Sequence, residues 1–398
     1  MTSLVVLGAA DGAVPTYQRA AKLGYRTICV DVQPGAPGVP LADEYLHIST
    51  RAPEQVAAAL AGRKDIVGVL APASDIALPS QRWLARHWDL PDPVSEQAVL
   101  ASADKSVFRQ VCERLGFPTY GAAAGAVGPE LRAAALRLRF PTLVKPVDST
   151  GSRGVVPCGE PGGLTAAVRA AIEHSPSGRV VVEEHVTGEH LTVEAVVQAG
   201  RVIFHAVSTR TLTAPPYFIT AEQLLPADLP PETDHRLVTM LDKLCAELGY
   251  VSGPLNLDVV LAPDGELYFI EVGARTGGNG LAELIETMCG VDTLSATIAL
   301  AVGERVTLTP RTPRPVMLRV IAADRPGNLV AVHGIRQVTA MPEVVDLRLF
   351  AQRGDLVRPY TQAAHKVGYV VLSAATAADL RAAAAVVDRT LRVELATP

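Results

Sequence analysis

Cysteine is sparse and scattered in this chain of 398 residues: Cys29, Cys112, Cys158, Cys245 and Cys289 form no CxxC pair. That argues against a zinc ribbon or a disulfide framework and predicts buried thiols in a reducing cytoplasm. No uninterrupted apolar run approaches the ~20 residues needed to cross a bilayer, so no membrane partner is expected. Basic charge is not in excess either, with 36 Lys and Arg against 41 Asp and Glu, which argues against a nucleic-acid partner. The start, MTSLVVLGAADG, has no basic leader and meets Asp11 early, so it predicts a first strand and turn rather than a signal peptide. What the chain does have is apolar content, 48% of its residues, enough for a sizeable core and more than one domain.

The order of patterns predicts an α/β (α+β) protein. Strand-like runs at 3–9, 26–32 and 66–72 alternate with helical stretches at 17–23 and 53–62, implying a parallel Rossmann-like sheet within the first 98 residues. A helix is expected over 103–115, stopped by Gly116 and Pro118. Strands at 142–147 and 179–186 then flank a helix near 162–173, and strands at 191–198 and 201–209 follow. A helix at 232–248 precedes strands at 255–262 and 267–273, PRTPRP at 310–315 reads as a linker, and the tail carries short strands and a helix at 376–391. The spacing Gly8 to Gly12, with Asp31 after the second strand, is GxxxG rather than the GxGxxG of a dinucleotide site, so no dinucleotide is expected.

The charged residues sit where strands end. Loop 148–154, DSTGSRG, follows a strand carrying Lys145; its glycines and hydroxyls let backbone N–H groups face a concavity suited to phosphate oxygens. No Lys-Ser/Thr follows the last glycine, so it is not a Walker A loop. Glu183 and Glu184 are adjacent in a strand and must face opposite ways. Asp258 and Glu271 lie on consecutive strands joined by a Pro-Asp-Gly turn; paired as a hairpin they come within reach of each other. Two such like charges require a cation, and oxygen-only ligands suit Mg²⁺. Arg275, permanently charged and forked, suits a transferring phosphoryl group or a carboxylate, and the Gly277-Gly278 pair beside it offers bare backbone.

In this order the pieces resemble the ATP-grasp superfamily: Lys105 in a helix, Lys145 on a strand, a glycine-rich loop, an acidic strand end, then Asp-x(12)-Glu-x-x-x-Arg-x-Gly-Gly, covering about 1–300. The tail looks like that of the L-amino-acid ligase (carboxylate–amine ligase) branch, through Gly327, Gly334-Ile335, Arg353-Gly354-Asp355 and Lys366-Val-Gly-Tyr369-Val370. The resemblance implies four units, at 1–98, 99–186, 187–309 and 310–398. It implies that Lys105 and Lys145 hold the phosphates of ATP while Ser149, Thr150, Gly151, Ser152 and Gly154 close over them. Glu183, Glu184 and the Val186 backbone would receive adenine and Glu189 the ribose. Asp258 and Glu271 would carry Mg²⁺ (or Mn²⁺), and Arg275, with Lys145, would be catalytic.

Three positions depart from the family. Gly273 stands where most members have a metal-side asparagine, Asn256-Leu-Asp258 replaces His-x-Glu, and Thr220-Ala-Glu222-Gln223 replaces Glu-x-x-His. Glu222 or Glu194 is then expected to serve the substrate amino group, and Asn279, Gly277 and Gly278 to line the substrate pocket with Arg275. The resemblance implies an ATP-dependent ligase joining two amino acids, or an amino acid and a related acid, working as a homodimer. Its competitors are a biotin-carboxylase-like enzyme that phosphorylates bicarbonate and a non-catalytic ATP-binding protein.

Overall fold

The computed structural model describes residues 1–398 except 92, 93, 150, 397 and 398. Its first sheet is parallel, with strands β1 (Ser3–Leu7), β2 (Arg26–Val30), β3 (Glu44–Leu46) and β4 (Ile66–Leu70) in the order β3-β2-β1-β4. All of β1 is buried, as a strand covered on both faces should be, which is why SLVVL is apolar without alternation. Ligand-binding loops of such sheets leave the carboxyl ends of the strands. Here those loops carry Asp11, Asp31 and Asp75, and the Asp31 carboxylate accepts the Ala9 N–H at 2.8 Å, which ties down the first loop.

A second, antiparallel sheet holds β5 (Ala122–Ala126), β6 (Thr142–Pro146), β7 (Val156–Cys158) and β8 (Arg179–Glu184), ordered β5-β8-β6-β7. Helices Pro129–Ala135 and Leu164–Ile172 cover one face over Val144, Val180 and Val182. The third sheet organises the molecule. It contains β9 (Glu189–Gln198), β10 (Arg201–Leu212), β11 (Thr220–Leu225), β12 (Gly253–Leu261) and β13 (Leu267–Gly273). The tail adds β14 (Val316–Ile321), β15 (Gly327–His333), β16 (Val344–Leu349), β17 (Leu356–Val357), β18 (Gly368–Ser373) and β19 (Arg392–Ala396). Three of these continue the sheet, whose order is β13-β12-β9-β10-β11-β14-β18-β16, while β17-β15-β19 form a small sheet of their own. The tail is therefore hydrogen-bonded to the middle of the chain through β11 and β14.

One apolar core joins the parallel sheet to the third: Val5 and Leu7 share it with Leu191, Val193, Leu255 and Phe269. All five cysteines are free and buried. Among the described residues no single helix is long and apolar enough to cross a membrane.

The helix expected at 103–115 forms over Lys105–Arg114, and a separate helix, Glu96–Ala103, ends just before it at a break at Asp104. Asp104 is extended (φ −134°) and its carboxylate caps the second helix at the Ser106 N–H, which makes Lys105 a helix-start residue. β5, of sequence AAAGA, escaped sequence reading because alanine and glycine carry little strand preference; pairing with β8 holds it.

Gly188 lies where the chain enters β9, pressed against β12. A Cβ there would collide with the Leu261 carbonyl, which is backbone and cannot swing aside. Gly188→Ala is expected to destabilise the fold by about 1–3 kcal/mol, the usual range for overpacking. Urea denaturation with an unchanged midpoint would show that the approach is not tight.

Candidate active site

The carboxyl ends of the parallel sheet, the loop at 148–154, the third sheet and the tail enclose a cleft of ≈ 650 Å³. Its floor is two rungs of the third sheet. On one rung Thr192, Asp258 and Glu271 stand side by side across β9, β12 and β13; two residues along, and so on the same face, stand Glu194, Asn256 and Gly273. The hairpin expected from the sequence forms, and Asp258 meets Glu271 in register.

Each carboxylate of the first rung has a cation beside it. Asp258 pairs with Arg210 of β10 at 2.9 Å, and Glu271 with Lys105 at 3.4 Å. Lys105 also donates to the Ser149 carbonyl at 2.7 Å, so the helix start, the glycine-rich loop and the hairpin meet at one ammonium. Lys145 is buried and pairs with buried Glu183 at 2.6 Å. Glu184 faces the other way, as alternation demands, and receives Arg139 at 2.8 Å. In the loop, Gly151 (φ +65°) and Ser152 (φ +59°) are left-handed, and the Ser152 hydroxyl donates to the Phe218 carbonyl at 3.1 Å. Asp148 fixes the loop's base by accepting from the Ser175 hydroxyl at 2.7 Å and the Ser177 N–H at 2.8 Å.

Above the second rung lies Arg275. Its guanidinium donates to Asp75 at 2.8 Å and to the Asn256 side-chain carbonyl at 3.0 Å. Asp75, 5% exposed, comes from the parallel sheet, 200 residues away. Asn256 in turn donates to Glu194 at 2.9 Å, and the Gly277 N–H donates to the same carboxylate at 2.9 Å. Gly273 completes the arrangement, because a Cβ there would lie 2.7 Å from Asp75 Oδ1 and 2.8 Å from Arg275 Cζ. Asp75 Oδ1 and Arg275 Nε are buried without a hydrogen-bond partner.

Residues 138–283 match the ATP-grasp domain family, and residues 319–396 match the L-amino acid ligase C-terminal domain 2. The chain carries an ATP-grasp domain followed by an L-amino acid ligase C-terminal domain. It is 29% identical over 318 residues to the protein y4rH of Sinorhizobium fredii (strain NBRC 101917 / NGR234), covering 77% of this chain but only 64% of that one. Against the formate-dependent phosphoribosylglycinamide formyltransferase of Bacillus subtilis (strain 168) the identity is 26% over 385 residues, 94% of this chain and 93% of the relative. The crystal structure of L-amino acid ligase from Bacillus licheniformis superposes with a TM-score of 0.82 at 20% identity, over 100% of this chain and 99% of that one, a likeness of fold.

For an ATP-grasp enzyme the donor set of the first rung decides whether Mg²⁺ fits. Asp258 and Glu271 offer oxygen only, at one level of a hairpin, and the unpartnered Asp75 oxygen lies beside the neighbouring rung. Among the described residues no group of three His, Cys, Asp or Glu forms a closed metal site. Two carboxylates that leave further positions to phosphate oxygens and water are how proteins hold Mg²⁺, so the residues fit.

Of the residues expected from sequence, Lys105, Lys145, Ser149, Gly151, Ser152, Asp258, Glu271, Arg275, Gly277, Gly278 and Asn279 line the cleft. Thr150 lies outside the described residues. Gly154 packs behind the loop, where a Cβ would meet Pro146 and His174 at 2.8 Å. Glu183, Glu184, Val186 and Glu189 are not on the wall: the two adjacent carboxylates are paired with Lys145 and Arg139, and Glu189 accepts from the Thr209 hydroxyl at 2.9 Å. The expectation for Glu222 is corrected. Opposite a register shift in β10, the strand turns Gln223 to the cleft and Glu222 away, onto Arg319 at 2.9 Å.

Sequence reading missed Asp75, Arg210 and Lys366 as parts of this site. Arg210 could have been found from its period-two place in HAVSTRTL; Lys366 stands in the tail motif, but nothing local joins it to this cleft, and Asp75 carries no local signal.

Glu194 is 1% exposed, and burial pushes its carboxyl up from 4.5 to about 7, against the opposing pull of Asn256, the Gly277 N–H and Arg275. An acid whose folded pKa is raised stabilises the fold most at low pH. That contribution is lost as pH climbs from about 4.5 to about 7, because only the unfolded chain ionises freely there. Glu194→Gln should therefore gain on the wild type across that window, by on the order of 2–3 kcal/mol. Parallel pH profiles from urea denaturation would show instead that Glu194 folds already ionised.

Proposed function

We propose that the protein is an ATP-dependent carboxylate–amine ligase that joins two amino acids, or an amino acid and a related acid, through an acyl phosphate. The observation that carries this reading is the placement of the tail. The L-amino acid ligase C-terminal domain shares a sheet with Asp258 and Glu271 and sends Lys366 into the same cleft.

In this reading Lys105, Lys145 and the N–H groups of loop 148–154 hold the phosphates of ATP. The N–H groups of Glu184 and His185 are spent on the carbonyls of Gly121 and Pro141, so adenine would have to reach past the cleft wall at His185 to meet the Val186 backbone. When bound by Asp258 and Glu271, Mg²⁺ (or Mn²⁺) would neutralise phosphate oxygens. Arg275 lies in the cleft wall, held by Asp75 and Asn256, and orients the donor carboxylate. One oxygen of that carboxylate forms a bond to the γ-phosphorus as the bond to the β,γ-bridging oxygen breaks, releasing ADP. The amine then bonds to the acyl carbon, the carbon–oxygen bond to phosphate breaks, and phosphate leaves with the oxygen. The acceptor enters as an ammonium and sheds two protons: one leaves on phosphate and one goes to solvent.

Two anions must approach in the first step, so the cations of the cleft supply most of the catalysis by cancelling their repulsion. Lys145 is suited to this because buried Glu183 fixes its ammonium in place.

The near full-length likeness to a formate-dependent formyltransferase supports a second reading, in which the activated acid is formate and the amine belongs to a different substrate. The chemistry is the same and the acid differs.

With ATP and Mg²⁺, a panel of amino acids offered in pairs should release phosphate and yield a product of amide mass. Arg275→Ala should lower turnover by roughly 10²–10³-fold, the usual loss when one charge-stabilising donor is removed. Phosphate release with formate but with no amino-acid pair would select the second reading, and turnover near wild type in the variant would take Arg275 out of the mechanism.

A further inference from the structure

Beside the cleft, past Asn279, lies a second cavity of ≈ 200 Å³. The two share a wall made of Asp11, Gly12, Gly277, Asn279 and Lys366, so the cavity opens beside the segment that follows Arg275. Its far side belongs to the tail: Arg348 and Phe350 at the end of β16, and Tyr369 on β18, with Glu283 opposite. The charges are two acids, Asp11 and Glu283, and two bases, Arg348 and Lys366. They form two pairs, Lys366 with Asp11 at 2.6 Å and Arg348 with Glu283 at 3.3 Å, with Arg348 also on Asp346 at 2.7 Å, and both pairs border an aromatic surface where the Phe350 and Tyr369 rings meet edge-on at 5.6 Å. A cavity that is neutral in sum but polar at both ends suits a zwitterion with a side chain.

Lys366 is the residue best placed to grip it. Its side chain is 7% exposed and its ammonium pairs with Asp11 at 2.6 Å. Its other contacts, 3.3 Å to Asn279 and 3.5 Å to the Ala363 carbonyl, are longer than the roughly 2.7–3.2 Å of a well-made bond. An ammonium has three N–H donors, and here two are loosely used. The ammonium also lies 5.2 Å from the centre of the Phe350 ring, and the Arg348 guanidinium 5.7 Å from that of Tyr369, so both cations border the surface where a side chain would rest. The left-handed backbone at Asn279 (φ +53°) and Gly280 (φ +70°) turns the chain between the two cavities. That conformation costs a non-glycine residue energy and recurs at functional sites.

We propose that this cavity is the subsite for the amine-bearing amino acid, with its carboxylate on Lys366 and Arg348, its side chain against Phe350 and Tyr369, and its amino group directed past Asn279 toward Arg275. This rests on the ligase reading above and adds that the tail selects the acceptor while the central units activate the donor.

The test compares a free amino-acid acceptor with its methyl ester, which keeps amine and side chain but lacks the carboxylate charge. Lys366→Met should raise the KM of the free amino acid about 10-fold or more, leave that of the ester within about two-fold, and be rescued in part by Lys366→Arg. Phe350→Ala, at a position 41% exposed and so outside the core, should shift preference from large toward small acceptors. It keeps the test decisive if the Lys366 variants do not fold. Equal changes for acid and ester, together with unchanged acceptor preference in Phe350→Ala, would overturn the subsite. Hydroxylamine, which traps an acyl phosphate as a hydroxamate without needing any acceptor pocket, separates the two readings in the wild-type enzyme. Hydroxamate with unchanged acceptor constants sinks the subsite alone, and no hydroxamate with any acid sinks the ligase reading and the subsite together.

Discussion

A guanidinium cannot shed its charge, and Arg275 is largely buried, so the site stands or falls on the groups that surround it. Asp75 reaches it from the parallel sheet, Asn256 from the hairpin, and Glu194 stands behind Asn256. The cleft therefore exists only when the first and third sheets are docked, and their shared apolar core provides that docking. Gly273 follows from the same constraint. From the sequence it reads as the loss of an oxygen donor. In the fold its missing side chain is the space taken by the Asp75 carboxylate and the Arg275 guanidinium. An oxygen is still present near that rung, supplied from another part of the chain.

The rest of the cleft follows the same rule of compensated charge. Asp258 has Arg210, Glu271 has Lys105, Glu183 has Lys145, and Asp11 has Lys366. Such pairing keeps several cations inside a concave surface without leaving them as isolated charges, which burial would penalise heavily. In the proposed reaction these cations face phosphate and carboxylate oxygens. Little reorganisation is needed, since the side chains are already held by their partners.

Much of this was readable before any coordinates. The alternation of strands and helices gave the parallel sheet, and the Pro-Asp-Gly turn between two apolar runs gave the hairpin that places Asp258 against Glu271. Local patterns suffice there because the contacts are local, or close to it. The sequence could not show the Asp75–Arg275 pair, which spans 200 residues, nor Lys366 meeting Asp11 across nearly the whole chain. Glu222 was misread for a different reason: one register shift reverses which residues of a strand face inward, and nothing in TAEQLL announces it. Glu183 was read as exposed to a nucleotide, but the side chain packs inward on Lys145 because strand alternation points it there.

The central claim is that the Asp258–Glu271 rung and Arg275 together meet the terminal phosphate of ATP. A crystal structure of the protein with a non-hydrolysable ATP analogue and Mg²⁺ tests it most directly. The account predicts the triphosphate under loop 148–154, with the metal ion on both carboxylates and the terminal phosphate within reach of Arg275. A triphosphate lying elsewhere, or one bound with Asp258 still held by Arg210 and Glu271 by Lys105, would contradict it.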